Sequence, residues 1–321
     1  MLPPVIAGVD GSPESLAAAE WAAREAVRRG RPLRLLHAWN RPSHRGGTPA
    51  DPALRHLARR ALRQAEDRIR RTCPGVVALQ DRQVEGPPTA ALLTAAQGAD
   101  LLVLGSRGLS GFTGFLVGSV ALGVVARAEL PVVLVRAGEE AADEHLPAAD
   151  GSASTRTPYR DVVMGLDLDD PCDEVIEYGF EAARTRGARL RVVHACRPPA
   201  AFGGLGPATL GTTMIGPATL GPTALGPGEL GLLDGPERLE EWHGFLTAVL
   251  QPWRDKYPGV EVTETVTEGR APSPLIRAAS SAGLLVVGRR VTDRPARPRT
   301  GPVTHAVIHH AGCPVAVVPH T

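Results

Sequence analysis

The sequence predicts an α/β chain of two tandem units, each a five-stranded parallel sheet with helices on both faces. Three observations lead there. Short, continuously apolar runs alternate with stretches of helical period. The whole pattern occurs twice. The 321 residues, 43% hydrophobic and 21% charged, are enough for two cores of ordinary domain size.

In the first unit the apolar run Val5-Ile6-Ala7-Gly8-Val9 ends at Asp10 and reads as a buried strand. Ser12 then caps a helix with Pro13 at its first position, Leu16, Ala19, Ala23 and Val27 form its apolar stripe, and Gly30 ends it. A strand at 33–38, a helix at 53–71, a strand at 76–84, a helix at 89–97, a strand at 101–104, a helix from Ser119 and a strand at 132–135 follow. Such an order builds a doubly wound sheet with right-handed crossovers, which takes ligands outside the carboxyl ends of its strands.

The repeat is in register. Val5 to Asp10 lies over Val162-Val163-Met164-Gly165-Leu166-Asp167, Gly30 over Gly187, and Leu35-Leu36-His37-Ala38 over Val192-Val193-His194-Ala195, at an offset of 157. The runs beginning at Leu101 and Pro131 lie over those beginning at Leu284 and Pro314 at an offset of 183, so the second unit carries 26 further residues. These fall in 203–231, where glycine recurs every five residues from Gly206 to Gly231, often followed by proline. Proline removes donors and glycine raises the entropy of ordering, which predicts a surface loop without its own core. Domains are expected at 1–137 and 159–321. The linker between them, 138–158, is acidic and then rich in Ser and Thr, the composition of an exposed connection.

Composition excludes several partners. Thirty-five Lys and Arg against 34 Asp and Glu leave a formal charge of +1, so no global field draws nucleic acid or an acidic membrane surface. The longest apolar run, 115–126, contains Gly118 and Ser119 and stops at Arg127, short of the roughly 20 residues that span a bilayer. No secretory leader pattern opens the chain, and a cytoplasmic address is expected. Cys73, Cys172, Cys196 and Cys313 are far apart and contain no C-x-x-C pair, so inert thiols are expected rather than a disulfide framework or a zinc ribbon.

The chemistry is expected after the fourth strand. Gly105-Ser106-Arg107-Gly108 is followed by nine residues and then Gly118-Ser119 at a helix start, a G-x2-G-x9-G-S spacing. Gly105 permits the turn off the strand, Gly108 allows positive φ, Gly118 lets backbone approach a phosphate, and Ser119 adds a hydroxyl donor. With the amides and dipole of the helix start, these residues form an anion cradle on the same edge as Asp10. Asp10 alone reads equally as the cap of the next turn. His37 and His194 read as backbone-satisfied strand-end histidines.

This constellation resembles the universal stress protein family, in particular its tandem members, over nearly the whole chain. The residues that carry it are Val5 to Ser12, Val84-Glu85-Gly86, the long glycine motif and the strand that ends at Val135. The resemblance implies a Rossmann-like fold of the adenine nucleotide alpha hydrolase type and an ATP-binding site. In that site Gly105, Gly108, Gly118 and Ser119 hold the phosphates, and Asp10 the ribose. Ala38 with the backbone of Gly8, Val9 and Leu104 lines the adenine, Arg107 and Val120 flank the phosphates, and a magnesium ion bridging them belongs to the same expectation.

At the matching positions the second unit reads Gly288-Arg289-Arg290-Val291, nine residues, then Gly301-Pro302. Valine resists positive φ and proline removes an N–H and the hydroxyl, so the cradle is expected to be lost while the fold is kept. Arg289, Arg290, Arg294, Arg297 and Arg299 read as a solvated basic loop, with a different anion as the alternative. His305 and His309, at i, i+4, read as an exposed helix face rather than a zinc site. The arginines of 53–71 likewise read as a solvated face.

The expected function is a stress-response or regulatory module that binds one ATP per chain. The alternatives are a slow ATPase or autophosphorylating protein, for which no activated nucleophile or general base is evident, and a nucleotide-free dimerisation scaffold. The strands at 132–135 and 315–318 are expected to pair with each other, making an intramolecular pseudodimer, with a homodimer of whole chains beyond that.

Overall fold

The computed structural model describes residues 2–39, 52–76, 78–106, 117–196, 235–291 and 300–321. The first half contains β1 (Val5–Gly8), α1 (Pro13–Arg29), β2 (Leu33–Trp39), α2 (Pro52–Thr72), β3 (Leu79–Glu85), α3 (Pro88–Ala95), β4 (Leu101–Ser106), α4 (Ser119–Val125) and β5 (Val132–Arg136). The second contains β6 (Val162–Gly165), α5 (Asp173–Arg186), β7 (Leu190–Cys196), α6 (Gly235–Lys256), β8 (Val262–Glu268), α7 (Pro272–Ala279), β9 (Leu284–Arg290), α8 (Pro302–His310) and β10 (Val315–His320). The glycine-proline stretch 203–231 lies outside the described residues.

The strands form one ten-stranded sheet in the order β3-β2-β1-β4-β5-β10-β9-β6-β7-β8. Each half is a parallel set of five, and the two sets meet at one antiparallel pair, with Val315, Ala316 and Val317 opposite Leu134, Val133 and Val132. The expected pairing of the last strands is therefore present. Its antiparallel sense has a geometric consequence: the carboxyl ends of the two sets point to opposite edges of the sheet. Side chains alternate between two cores. Val5, Ala7, Leu33 and Leu35 join α1, α2, α5 and α6 on one face, and Ile6, Leu36, Leu102 and Leu104 join α3, α4, α7 and α8 on the other.

α1 begins and ends as its sequence predicts. Ser12, at φ −70 and ψ 156, accepts from the Ser15 amide, and Gly30 closes the helix at φ 61. The apolar stripe is only partly right, because Val27 is exposed while Trp21, Glu20 and Glu25 are buried. The reason is that α1 is covered on more than one side, by the sheet, by α2 and by α5 of the other half.

The connection between the halves is exposed over most of its length, as its composition implies, but its acidic start is packed down. Ala141–Glu144 form a 3-10 turn, Glu139, Glu144 and His145 are buried, and His145 bridges to Tyr159. The acidic residues find cations on α1: Glu144 takes Arg24 at 2.7 Å and also binds Arg28. Nearby, Glu25 is fully buried and holds Arg28 at 2.8 Å, Arg29 at 2.6 Å and Arg186 of the second half at 2.7 Å. Carboxylates that look solvated in sequence thus join the two halves.

Glu139 is the exception among these acids. Burial first, then the charges of Asp143 and Glu144, push its pKa up to about 8 against the opposing Arg24 and Arg136. A carboxyl with a raised folded pKa contributes fully below its ordinary value of 4.5 and loses that contribution as pH rises toward 8. Glu139→Gln is therefore expected to be more stable than the parent at pH 8, by more than about 1 kcal/mol, the worth of roughly one pKa unit. Below pH 4.5 the two should match. Urea midpoints at both pH values check this, and an equal difference at both would contradict it.

Candidate functional site

In the first half β1 and β4 are neighbours, while the chain leaves β1 toward β2 and leaves β4 toward β5. The crevice where crossovers diverge is the position at which open α/β sheets take ligands. Gly8, Val9 and Asp10 at the end of β1 and Leu104 and Gly105 at the end of β4 meet there, and Ala38 lies beside them on β2. Val9 is tied to β2 by its amide, which donates to the Leu36 carbonyl at 2.8 Å.

Asp10 is exposed at this edge, and its carboxylate accepts from the Ser12 amide at 2.9 Å and the Ser12 hydroxyl at 2.5 Å. Burial works against its charge, but the Ser12 side chain and amide, the Ser15 hydroxyl and nearby His37 outweigh it and hold the pKa below 3.8. The group is ionised at neutral pH. Asp10 thus caps the turn after β1, one of its two readings from sequence. Ser15 escaped the sequence reading. Its buried hydroxyl accepts from the amides of Asp10 and Gly11, each at 3.2 Å, and donates to the Ser12 carbonyl at 3.0 Å. A serine at the third helical position after Asp-Gly-Ser-Pro was the available signal. Gly11, at φ 87, is the residue of this turn that requires glycine. Burial lowers the His37 pKa against the opposing Val9 backbone, and its Nδ1 is buried with no hydrogen-bond partner among the described residues, so the expected backbone-satisfied histidine is met only in part.

Gly105 does something other than turn the chain. It lies inside β4, paired with Val135, and a Cβ there would fall 2.6 Å from the Glu14 carbonyl carbon and 2.7 Å from the Ser15 amide nitrogen. Its bare backbone admits the first turn of α1 against the strand end. Gly118 precedes α4 at φ −63 and ψ 151 with no side chain capping the helix. Ser119 follows, exposed, and Val120 is half-buried against the second core. Arg107 and Gly108 lie outside the described residues.

The second half differs by more than Val291 and Pro302. Its first helix starts at Asp173 without a side-chain cap, three residues later than the repeat offset implies, and buried Leu168 occupies the position matching Gly11. The Gly288 carbonyl is taken by the Thr304 hydroxyl at 2.9 Å. The expected solvated basic loop is corrected at one position: Arg290 stays exposed while pairing with Asp170, but Arg289, only 6% exposed, reaches the carbonyls of Ala126 and Ala128 in the first half. Arg294, Arg297 and Arg299 lie outside the described residues. The His305 and His309 rings lie one turn apart and tilted to each other, with centroids at 4.6 Å. Cys313 is buried, its thiol pushed up to about 12 by burial first and by Glu139 next. Among the described residues no group of three or more His, Cys, Asp or Glu is placed to hold a metal ion. No described helix is long and apolar enough to cross a membrane.

Comparison with known proteins agrees with this architecture. The family model described as "Universal stress protein family" matches residues 1–136 and 222–319. A universal stress protein of Mycobacterium tuberculosis is 37% identical over 325 residues, covering 98% of this chain and 95% of that one. A universal stress protein of Mycobacterium bovis is 38% identical over 331 residues, covering 98% and 94%. Among solved structures, a universal stress protein from Archaeoglobus fulgidus has a TM-score of 0.60 at 16% identity, covering 99% of this chain and 98% of that one, a likeness of fold. With the family model spanning both halves of a doubly wound tandem sheet, the chain belongs to the universal stress protein family.

Proposed function

We propose that the first half binds one adenine nucleotide, ATP with magnesium, and that the chain acts as a stress-response or regulatory binding module. The observation that carries this reading is the convergence of the ionised Asp10 and the uncapped start of α4 on one switch-point edge. The residues fit such a ligand. An ionised carboxylate at the end of β1 accepts hydrogen bonds from ribose hydroxyls, and α4 begins without a side chain competing for its first amides. Gly8, Val9, Ala38 and Leu104 offer backbone and small apolar surface to the base. Arg107, Gly108, Gly118, Ser119 and Val120 are assigned to the phosphates, where magnesium would neutralise charge between phosphate oxygens.

Binding rather than turnover is favoured by Asp10 itself. Held below the usual carboxylate range and bonded to Ser12, it is a poor proton acceptor at neutral pH. The second half, with Leu168, Val291 and Pro302, is assigned no nucleotide. Calorimetric titration of Gly108→Val with ATP and magnesium tests the assignment. The variant should lose binding by at least about a hundredfold, the scale of two or more charge-assisted hydrogen bonds. Parental affinity in the variant would overturn the role given to the glycine motif.

A further inference from the structure

The candidate edges of the two halves lie on opposite sides of the sheet, because the β5–β10 junction is antiparallel. α4 runs between them. It starts after Gly118 on the first half's edge and ends at Val125, with Ala126 as its C-cap, beside the end of β9. There the second half reaches across: Arg289 donates through Nη1 to the Ala126 carbonyl at 3.3 Å and through Nη2 to the Ala128 carbonyl.

Three features make this contact more than incidental. The Arg289 side chain is buried, and among the described residues no carboxylate pairs with it, so its charge is met by the carbonyls of Ala126, the C-cap of α4, and of Ala128 just beyond it. The helix it holds has seven residues, well below the roughly 12–15 at which a helix becomes even marginally stable alone, so its position is set by its surroundings. The repeat position in the first half is Ser106, whose hydroxyl stays within its own half on the Val135 carbonyl at 3.2 Å. At this position the grip runs only from the second half onto the first.

We infer that Arg289 is a positioning residue for the nucleotide site of the opposite half: by gripping the carbonyls of the C-cap of α4 and of the turn just past it, it fixes Gly118, Ser119 and Val120 at the other end of the same helix. This rests on the nucleotide reading above. It gives the second half, which has Val291 and Pro302 where the cradle would be, a direct part in the first half's site. An arginine suits the task because its planar fork meets two carbonyls at once.

The test compares the full-length parent with Arg289→Met, which removes the donors and keeps apolar length, and Arg289→Lys, which keeps the charge without the fork. Hydrogen exchange of the α4 amides is read without nucleotide, and ATP affinity is read by calorimetry. The methionine variant should exchange faster in α4 and bind ATP about tenfold more weakly, within the usual range of coupling between sites. The lysine variant should fall between it and the parent on both readouts. Parental α4 exchange and parental affinity in the methionine variant would overturn the inference. If the methionine variant does not fold, the lysine variant decides: weaker binding with faster α4 exchange supports the grip, and parental values on both counts overturn it. If the parent itself binds no ATP, the nucleotide reading fails, and the exchange of α4 still reports on the grip.

Discussion

Glu25→Ala is expected to lower stability by about 3–5 kcal/mol, the cost of removing one partner from a buried ion group. The carboxylate is 0% exposed and faces Arg28, Arg29 and Arg186. Burial opposes its ionisation, but Arg186, then Arg29 and Arg28, hold its pKa far below 4.5. Arg28 keeps Glu144 and Arg29 keeps Asp100, so the variant strands chiefly Arg186, whose side chain is 1% exposed. Replacing both Glu25 and Arg186 by leucine should cost less than Glu25→Ala alone. Because the folded pKa is depressed, the stability that Glu25 supplies is complete above about pH 4.5 and is lost as pH falls below it. Urea denaturation across that range reads both effects. A single variant as stable as the parent would show that the halves do not depend on this group.

The second large effect is expected at Gly105, with its repeat partner Gly288 as the control. In Gly105→Ala the new methyl would meet backbone of α1, at 2.6 Å from the Glu14 carbonyl carbon, and backbone cannot rotate away. Overpacking of this kind costs about 1–3 kcal/mol. The displaced first turn carries Ser12 and Ser15, which hold Asp10, so ATP affinity should fall more than about tenfold. In Gly288→Ala the nearest atoms belong to the His320 ring at 3.0 Å and the Val175 side chain at 3.1 Å. These can yield, and both stability and ATP affinity should stay nearer the parental values. Calorimetry and thermal unfolding of the two variants check the contrast, and equal losses in both would refute it.

The sheet was legible in sequence because its strands are continuously apolar and occur twice in register, and periodicity reports burial directly. The pairing of β5 with β10 followed from the same logic, since each half otherwise ends in an unpaired apolar strand. What stayed hidden depends on contacts between residues distant in the chain. Nothing near Val27 announces that it is exposed while Glu20 and Glu25 are buried, because the cover on α1 comes from α2 and α5. The acidic start of the connection at 138–158 resembles a solvated linker until Arg24 and Arg28 are seen opposite Glu144. Gly105 is legible as a special position, but its turn reading comes from a local pattern, whereas the approach of α1 that it admits is a tertiary event. Arg289 looked like part of a basic loop, and only the antiparallel junction carries it to the end of α4.

The central claim is asymmetry: two halves of one fold and a single nucleotide site. Titrating the full-length chain with ATP and magnesium in a calorimeter tests it most directly. The predicted result is one nucleotide bound per chain, abolished by Gly108→Val. Two nucleotides per chain would contradict the loss assigned to Leu168, Val291 and Pro302, and none would contradict the site assigned to Asp10, Gly118 and Ser119.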